Sequence, residues 1–261
     1  MKLFLTVLLI FMIPLSACGA PASIAEHRTL TVFAAASLTD AFDEIGTDFE
    51  AAHPGVTVTF NFAGSQALRT QVEQGAQADV FASANTKEMD LLVTKNLVIA
   101  DSVQIFLTNR LVVIIPAKNP GGIKELADLA KGGLKLVFAA KEVPVGNYSL
   151  QALDKLDATL GNGFKVEVLA NIVSYENDVK QVVAKVQLGE ADAGIVYLTD
   201  TVAAPELQKL DIPRESNVIA EYPLAVLTQS KDPELAQAFV DYVLSANGQS
   251  ILQRWGFLPV E

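Results

Sequence analysis

Apolar positions along the chain follow two rhythms in turn. Residues 30–34, Leu-Thr-Val-Phe-Ala, form a short apolar run that predicts a buried parallel strand. Leu38, Ala41, Phe42, Ile45, Phe49 and Ala52 then recur at helical spacing and predict one helix face, which His53-Pro54-Gly55 ends. Val56, Val58, Phe60 and Phe62 alternate as a strand. A helix is expected from about residue 66, with Leu68 and Val72 inward and Gly75 at its end, then a strand over 79–82. Residues 105–116 make one long extended run, long enough to pass between two lobes. A second series follows: a helix over 123–130, a strand over 134–139, a helix over 148–160 and a strand over 166–169. It continues with a helix over 177–188, whose Val179, Val182, Val183 and Val186 face inward, and a strand over 193–197. A second extended run, 218–228, could make the return crossing, and helices over 233–244 and 249–255 close the chain. Strands alternating with helices predict an α/β fold with mainly parallel sheets.

The beginning of the chain reads differently. Met1-Lys2 precedes an apolar run over 3–15, too short for a spanning helix of about 20 residues but suited to a secretory signal. The run ends Leu15-Ser16-Ala17-Cys18, which resembles a bacterial lipobox with Cys18 as the lipidated mature N-terminus. Residues 1–17 are therefore expected to be a lipoprotein signal peptide and 18–28 a tether, with the protein exported and held on the outer face of the membrane. A length of 261 residues allows one large domain or two modest ones, and 51% hydrophobic residues exclude a largely disordered chain. The net charge of −11 argues against a general nucleic-acid binder. One cysteine cannot form an internal disulfide, and two histidines beside it make a poor zinc set.

Sequence patterns of catalysis are missing: there is no GxSxG, GxxxxGK[ST], HExxH or CxxC. His27 falls in the expected tether and His53 at a helix end, so neither is expected to serve as a base. Two serines stand out. Ser37 ends Ala34-Ala35-Ala36-Ser37 and Ser65 ends Ala63-Gly64-Ser65, each between a strand and a helix. Helix capping would explain both. Alternatively, both helix N-termini face one anion, at the carboxyl ends of strands where α/β sheets bind ligands.

With those serines the chain resembles the molybdate-binding proteins of ABC transporters. The resemblance runs through Val32-Phe33-Ala34-Ala35-Ala36-Ser37-Leu38, Phe62-Ala63-Gly64-Ser65, Gln71-Val72-Glu73-Gln74-Gly75-Ala76 and Ala78-Asp79-Val80-Phe81-Ala82-Ser83-Ala84. It continues through Val143-Pro144-Val145-Gly146-Asn147-Tyr148, Glu176-Asn177-Asp178-Val179, Gly194-Ile195-Val196-Tyr197, Glu221-Tyr222-Pro223-Leu224-Ala225-Val226 and Trp255-Gly256-Phe257. It implies a two-lobe, type II periplasmic-binding-protein fold with a ligand cleft between lobes. Lobe 1 is expected over 29–109 and 222–261, and lobe 2 over 110–221. The resemblance also implies an oxyanion, molybdate and by its similar size tungstate, bound without a counter-cation. Ser37 and Ser65 would donate from lobe 1, Val145 and Val179 would supply backbone N–H groups from lobe 2, and Tyr197 its hydroxyl. Molybdenum would enter only as molybdate, with no further cofactor and no enzymatic activity. The expected partner is an ABC permease, and the expected state a monomer. Val145 and Gln66 depart from the family pattern: Val145 adds bulk, and Gln66 adds a donor or narrows the entrance. A receptor for sulfate or phosphate, or an enzyme on the same scaffold, are the alternative readings.

Overall fold

The computed structural model describes residues 27–260; the expected signal segment and Cys18 lie outside them. The chain runs β1 (Arg28–Ala35), a 3₁₀ turn (Ala36–Leu38), α1 (Thr39–Ala52), β2 (Val56–Ala63), α2 (Ser65–Glu73), β3 (Val80–Ala82), α3 (Thr86–Thr94) and β4 (Gln104–Ile115). It continues through β5 (Leu136–Ala139), α4 (Pro144–Leu160), α5 (Phe164–Ala170), β6 (Ile172–Glu176), α6 (Val179–Gln187), β7 (Ala193–Tyr197) and α7 (Asp200–Ala203). It ends with β8 (Gln208–Asp211), β9 (Ile219–Val226), α8 (Pro233–Leu244) and α9 (Ala246–Arg254).

Among the described residues the strands join in the order β2-β1-β3-β9-β4-β7-β5-β6, with β8 also on β4. The outer groups are parallel, β1 with β2 and β3, and β5 with β6 and β7. The middle is antiparallel, because β9 pairs with both β3 and β4, and β4 with β7 and β8. The expectation of mainly parallel sheets thus holds for the outer strands and not for the centre. The long run β4 belongs to both halves. It pairs with β9 through Arg110↔Ile219 and with β7 from Leu111↔Tyr197 onward. The two extended runs seen in the sequence are therefore hydrogen-bonded neighbours that link the halves.

Helix α1 shows why the first half is compact. Its Ala41, Phe42, Ile45 and Phe49 face inward and are fully buried. Phe42 lies 6.1 Å from Phe60, 6.0 Å from Phe106 and 6.1 Å from Phe239, measured between ring centres. Each such ring removed from water contributes about 1.5–3 kcal/mol.

Several local expectations need correction. The apolar stretch 166–169 is not a strand but part of α5. Phe164 and Val168, four apart, are buried, Val166 is 70% exposed, and Asp157 accepts from the Gly163 and Lys165 N–H groups to start the helix. A four-residue apolar run does not distinguish the two states. The strand lies one step later, at β6, an edge strand whose Val173 and Tyr175 are exposed. Helix α4 starts at Pro144, not 148, because proline suits the first helical position. Over 123–130 only a 3₁₀ turn (Leu126–Ala130) forms, since Asn119 holds Ile123 in a loop through both its backbone N–H and carbonyl. Helices α3 and α7 and strand β8 had no expectation. Strand β1 begins at Arg28, the last residue of the expected tether.

Replacing Phe42 by Ala should cost about 3–5 kcal/mol. Urea unfolding of the variant against the parent protein measures this, and a loss below 1 kcal/mol would show that the aromatic cluster does not carry the first half.

Candidate functional site

The carboxyl ends of β1, β2 and β5 each lead into a helical turn, and these turns meet. The 3₁₀ turn at Ala36, and the first turns of α2, α4 and α6, surround one small cavity of about 10 Å³. Ser37, Ser65, Val145, Val179 and Tyr197 all line it, with Ala35, Ala36, Gly64, Ala84 and Asp178 among their neighbours. The structure thus brings together all five residues expected at the site, across sequence separations that leave no local trace.

Neither serine is a cap. The N-cap of α2 is Gly64 and that of the turn is Ala35, and neither helix start has a side-chain capping bond. The α4 start, capped by Val143, has none either. By contrast Asn85, Asp232 and Ser245 cap α3, α8 and α9 with their side chains. First-turn N–H groups have no acceptor inside their own helix. At this cavity they remain open to whatever sits there, with the positive ends of the helix dipoles behind them. Pro144 has no N–H, so Val145 and Gly146 supply the first donors of α4. Gly146 is required there. A Cβ would collide with the Ala139 and Ala140 carbonyl oxygens, so any larger residue would push the α4 start away from the end of β5.

The hydroxyls are arranged as donors. Ser65 Oγ accepts from the Ala84 N–H at 3.0 Å, which occupies a lone pair and leaves its proton for the cavity. Ser37 Oγ lies 2.9 Å from the Tyr222 hydroxyl. Burial pushes the Tyr222 phenol far above its usual range, so it stays protonated and can donate to Ser37, freeing the Ser37 proton. Tyr197 is buried, and its hydroxyl has no hydrogen-bond partner among the described residues. Burial, with Tyr222 and Tyr148 nearby, also holds its pKa well above the usual range, so it keeps its proton at neutral pH and can donate. An unpaired buried hydroxyl costs about 1–3 kcal/mol, which a ligand acceptor would recover.

No cation lines the cavity. The one acidic lining residue, Asp178, is turned to its own helix, accepting from the Gln181 N–H at 3.0 Å and from Gln181 Nε2 at 2.6 Å. Gln66, the second residue of α2, does not line the cavity. Its amide donates to the Asn177 carbonyl at 3.0 Å, so it closes the two sides together rather than donating into the cavity. Gly64 permits this approach, since a Cβ there would stand 2.5 Å from the same Asn177 oxygen.

The two histidines take no part. His53 bonds the Phe49 carbonyl at 2.9 Å and His27 the Gly55 carbonyl at 3.0 Å, so neither serine has an imidazole partner. Among the described residues no group of three or more His, Cys, Asp or Glu could hold a metal, and no helix is long and apolar enough to cross a membrane. Sequence reasoning noticed Tyr222 only as part of a motif, and had no signal for its bond to Ser37, 185 residues away.

The cavity is therefore a convergence of N–H and O–H donors with no cation in its lining. Over residues 30–258 the chain matches the family described as bacterial extracellular solute-binding protein. It is 41% identical over 231 residues to the molybdate-binding protein ModA of Mycobacterium bovis, covering 88% of this chain and 84% of that one. The periplasmic molybdate-binding protein of Azotobacter vinelandii shares the fold with a TM-score of 0.78 at 20% identity, covering 89% of this chain and 100% of that one. The sulfate-binding protein SubI of Mycobacterium tuberculosis does so with a TM-score of 0.79, also at 20% identity, over 90% of this chain and 88% of that one. The architecture is that of the periplasmic binding proteins, two α/β lobes with the cleft between them, and the relatives are exported proteins that bind solutes rather than transform them. The chain belongs to the bacterial extracellular solute-binding protein family, and within it to the group of the molybdate-binding proteins.

Proposed function

We propose that the protein is the lipid-anchored receptor of an ABC transporter, that it binds molybdate and also tungstate, and that it hands the anion to the permease. The observation that carries this reading is the cavity. Donors converge on it from four helical first turns and from the end of β7, where the Tyr197 hydroxyl is buried without a partner among the described residues. The 41% identity to a molybdate-binding protein supports the choice of anion.

The chemistry follows from the donor set. Ser37, Ser65 and Tyr197 donate O–H, and Val145 and Val179 donate N–H. A tetrahedral dianion offers acceptors only, so every contact is a charge-assisted bond of about twice the usual strength. The helix dipoles offset much of the charge, which is why no salt bridge is needed. A protonated phosphate would set its own O–H against a fixed donor. Sulfate carries the same charge as molybdate and is smaller, so its separation rests on the reach of the donors. No cofactor enters this reading.

The lobes are taken as 29–109 with 222–261, and 110–221. Ser37 and Ser65 then stand on one lobe and Val145, Val179 and Tyr197 on the other. An anion touching both sets stabilises only the closed arrangement and shifts the population toward it. Closure would be the signal that the permease reads, from a monomeric receptor held near it by Cys18.

Three outcomes are expected. In calorimetric titrations molybdate and tungstate bind far more tightly than sulfate or phosphate; equal or tighter binding of either of the latter two would overturn the assignment. Tyr197→Phe keeps the ring and loses one donor to a charged ligand. Molybdate affinity should fall by about 1.5–3 kcal/mol, roughly ten- to hundredfold, with the fold intact by circular dichroism. Unchanged affinity would remove Tyr197 from the site. Cys18→Ala should release the protein from membranes or leave its precursor uncut, and mass spectrometry of the native protein should find an acylated N-terminal cysteine; an unmodified Cys18 still following Ala17 would refute the anchor.

A further inference from the structure

One charged cluster lies beside the cavity without lining it. Lys180 follows Val179 in the first turn of α6, and its ammonium reaches across to Asp40 Oδ2 at 2.6 Å. Asp40 stands in the first turn of α1, three residues after Ser37. The same ammonium is 3.7 Å from Asp200 Oδ1. Asp200 is buried, and its other oxygen accepts the backbone N–H of Tyr197 at 3.0 Å. Asp200 Oδ1 has no hydrogen-bond partner among the described residues, so the ammonium is its nearest compensation.

Each end of this chain of charges is fastened to a residue of the cavity. Asp40 shares a helical start with Ser37, Lys180 adjoins Val179, and Asp200 holds the main chain of Tyr197. We propose that Lys180 is a positioning residue: its ammonium ties Asp40 on one lobe to Asp200 on the other, and so fixes Ser37, Val179 and Tyr197 in the closed arrangement that binds the anion. The proposal rests on the oxyanion reading above. The Gln66–Asn177 bond joins the same two lobes, so two contacts outside the cavity lining stabilise the closed form. Both partners of the Asp40–Lys180 pair are about one-third exposed, which makes the tie breakable and sensitive to salt.

The sign of one substitution separates this role from a plain field effect. If Asp40 acted only through its charge, removing a negative group near an anion site would tighten binding. The tie requires the opposite. Molybdate titrations of the purified protein should show Asp40→Asn and Lys180→Met each weakening affinity by about two- to fivefold. Asp40→Glu and Lys180→Arg should recover most of the loss, and the penalty of Asp40→Asn should shrink as sodium chloride is raised. In the ligand-free protein, hydrogen exchange of the first turns of α1 and α6 should be faster in Asp40→Asn and Lys180→Met than in the parent.

Tighter or unchanged binding in Asp40→Asn would overturn the tie, as would an equal loss in the conservative variants. If the parent protein bound none of molybdate, tungstate, sulfate and phosphate, the oxyanion reading would fail. The tie would then stand or fall on the ligand-free exchange alone, and unchanged exchange would reject it.

Discussion

The candidate site is built on hydrogen-bond donors that meet in one small space. Buried N–H and O–H groups are costly when unpaired, because each forfeits its bonds to water. A fold collects such groups at one point only if something else repays the cost. Here the collection is systematic. The cavity lies where strands end and helices begin, and three of its helix starts lack the side-chain caps present on α3, α8 and α9. The hydroxyl oxygens have other partners, Ser65 the Ala84 N–H and Ser37 the Tyr222 hydroxyl, which leaves their protons able to turn to the cavity. Small residues, Ala35, Ala36, Gly64 and Ala84, let the main chain come close.

A site of neutral donors suits a chain of net charge −11. The acidic surface repels an anion at long range, but salt screens that repulsion within about 10 Å. Capture is then decided inside the cleft, by dipoles and bonds that act over one or two atoms. Neutral donors also discriminate in a way that an arginine or lysine would not. The ammonium of a lysine on its flexible stem follows any anion and an arginine adds a full charge, whereas fixed neutral N–H and O–H groups require acceptors at set positions.

The sheet supplies the mechanics. Strand β4 passes from β9 to β7 within one continuous run, so both lobes hang on the same extended segment. Two neighbouring strands can bend together without breaking the cores on either side. The Phe42, Phe106 and Phe239 cluster packs within the first half, away from the shared strand's passage to β7. The contacts between the two halves, Lys180–Asp40 and Gln66–Asn177, are polar and partly exposed.

The sequence by itself determined the elements with strong periodicity. Helix α1, strands β1, β2, β4, β7 and β9 and helix α6 are legible because their apolar faces repeat at a fixed step. It also placed the two serines at strand-to-helix junctions, and with them the family. It did not separate α5 from β6, since 166–169 is too short to show a period and its helical state depends on Asp157 bonding the Gly163 and Lys165 amides. The donors at Val145 and Val179 leave no mark in a single sequence, because a backbone N–H looks the same under every side chain. They came from the resemblance alone. What only the tertiary structure decided is pairing: Ser37 with Tyr222, Gln66 with Asn177, and Asp40 with Lys180, which are 185, 111 and 140 residues apart. Such contacts depend on how two lobes face each other, and that orientation is set by the whole core and the shared strand rather than by any local pattern.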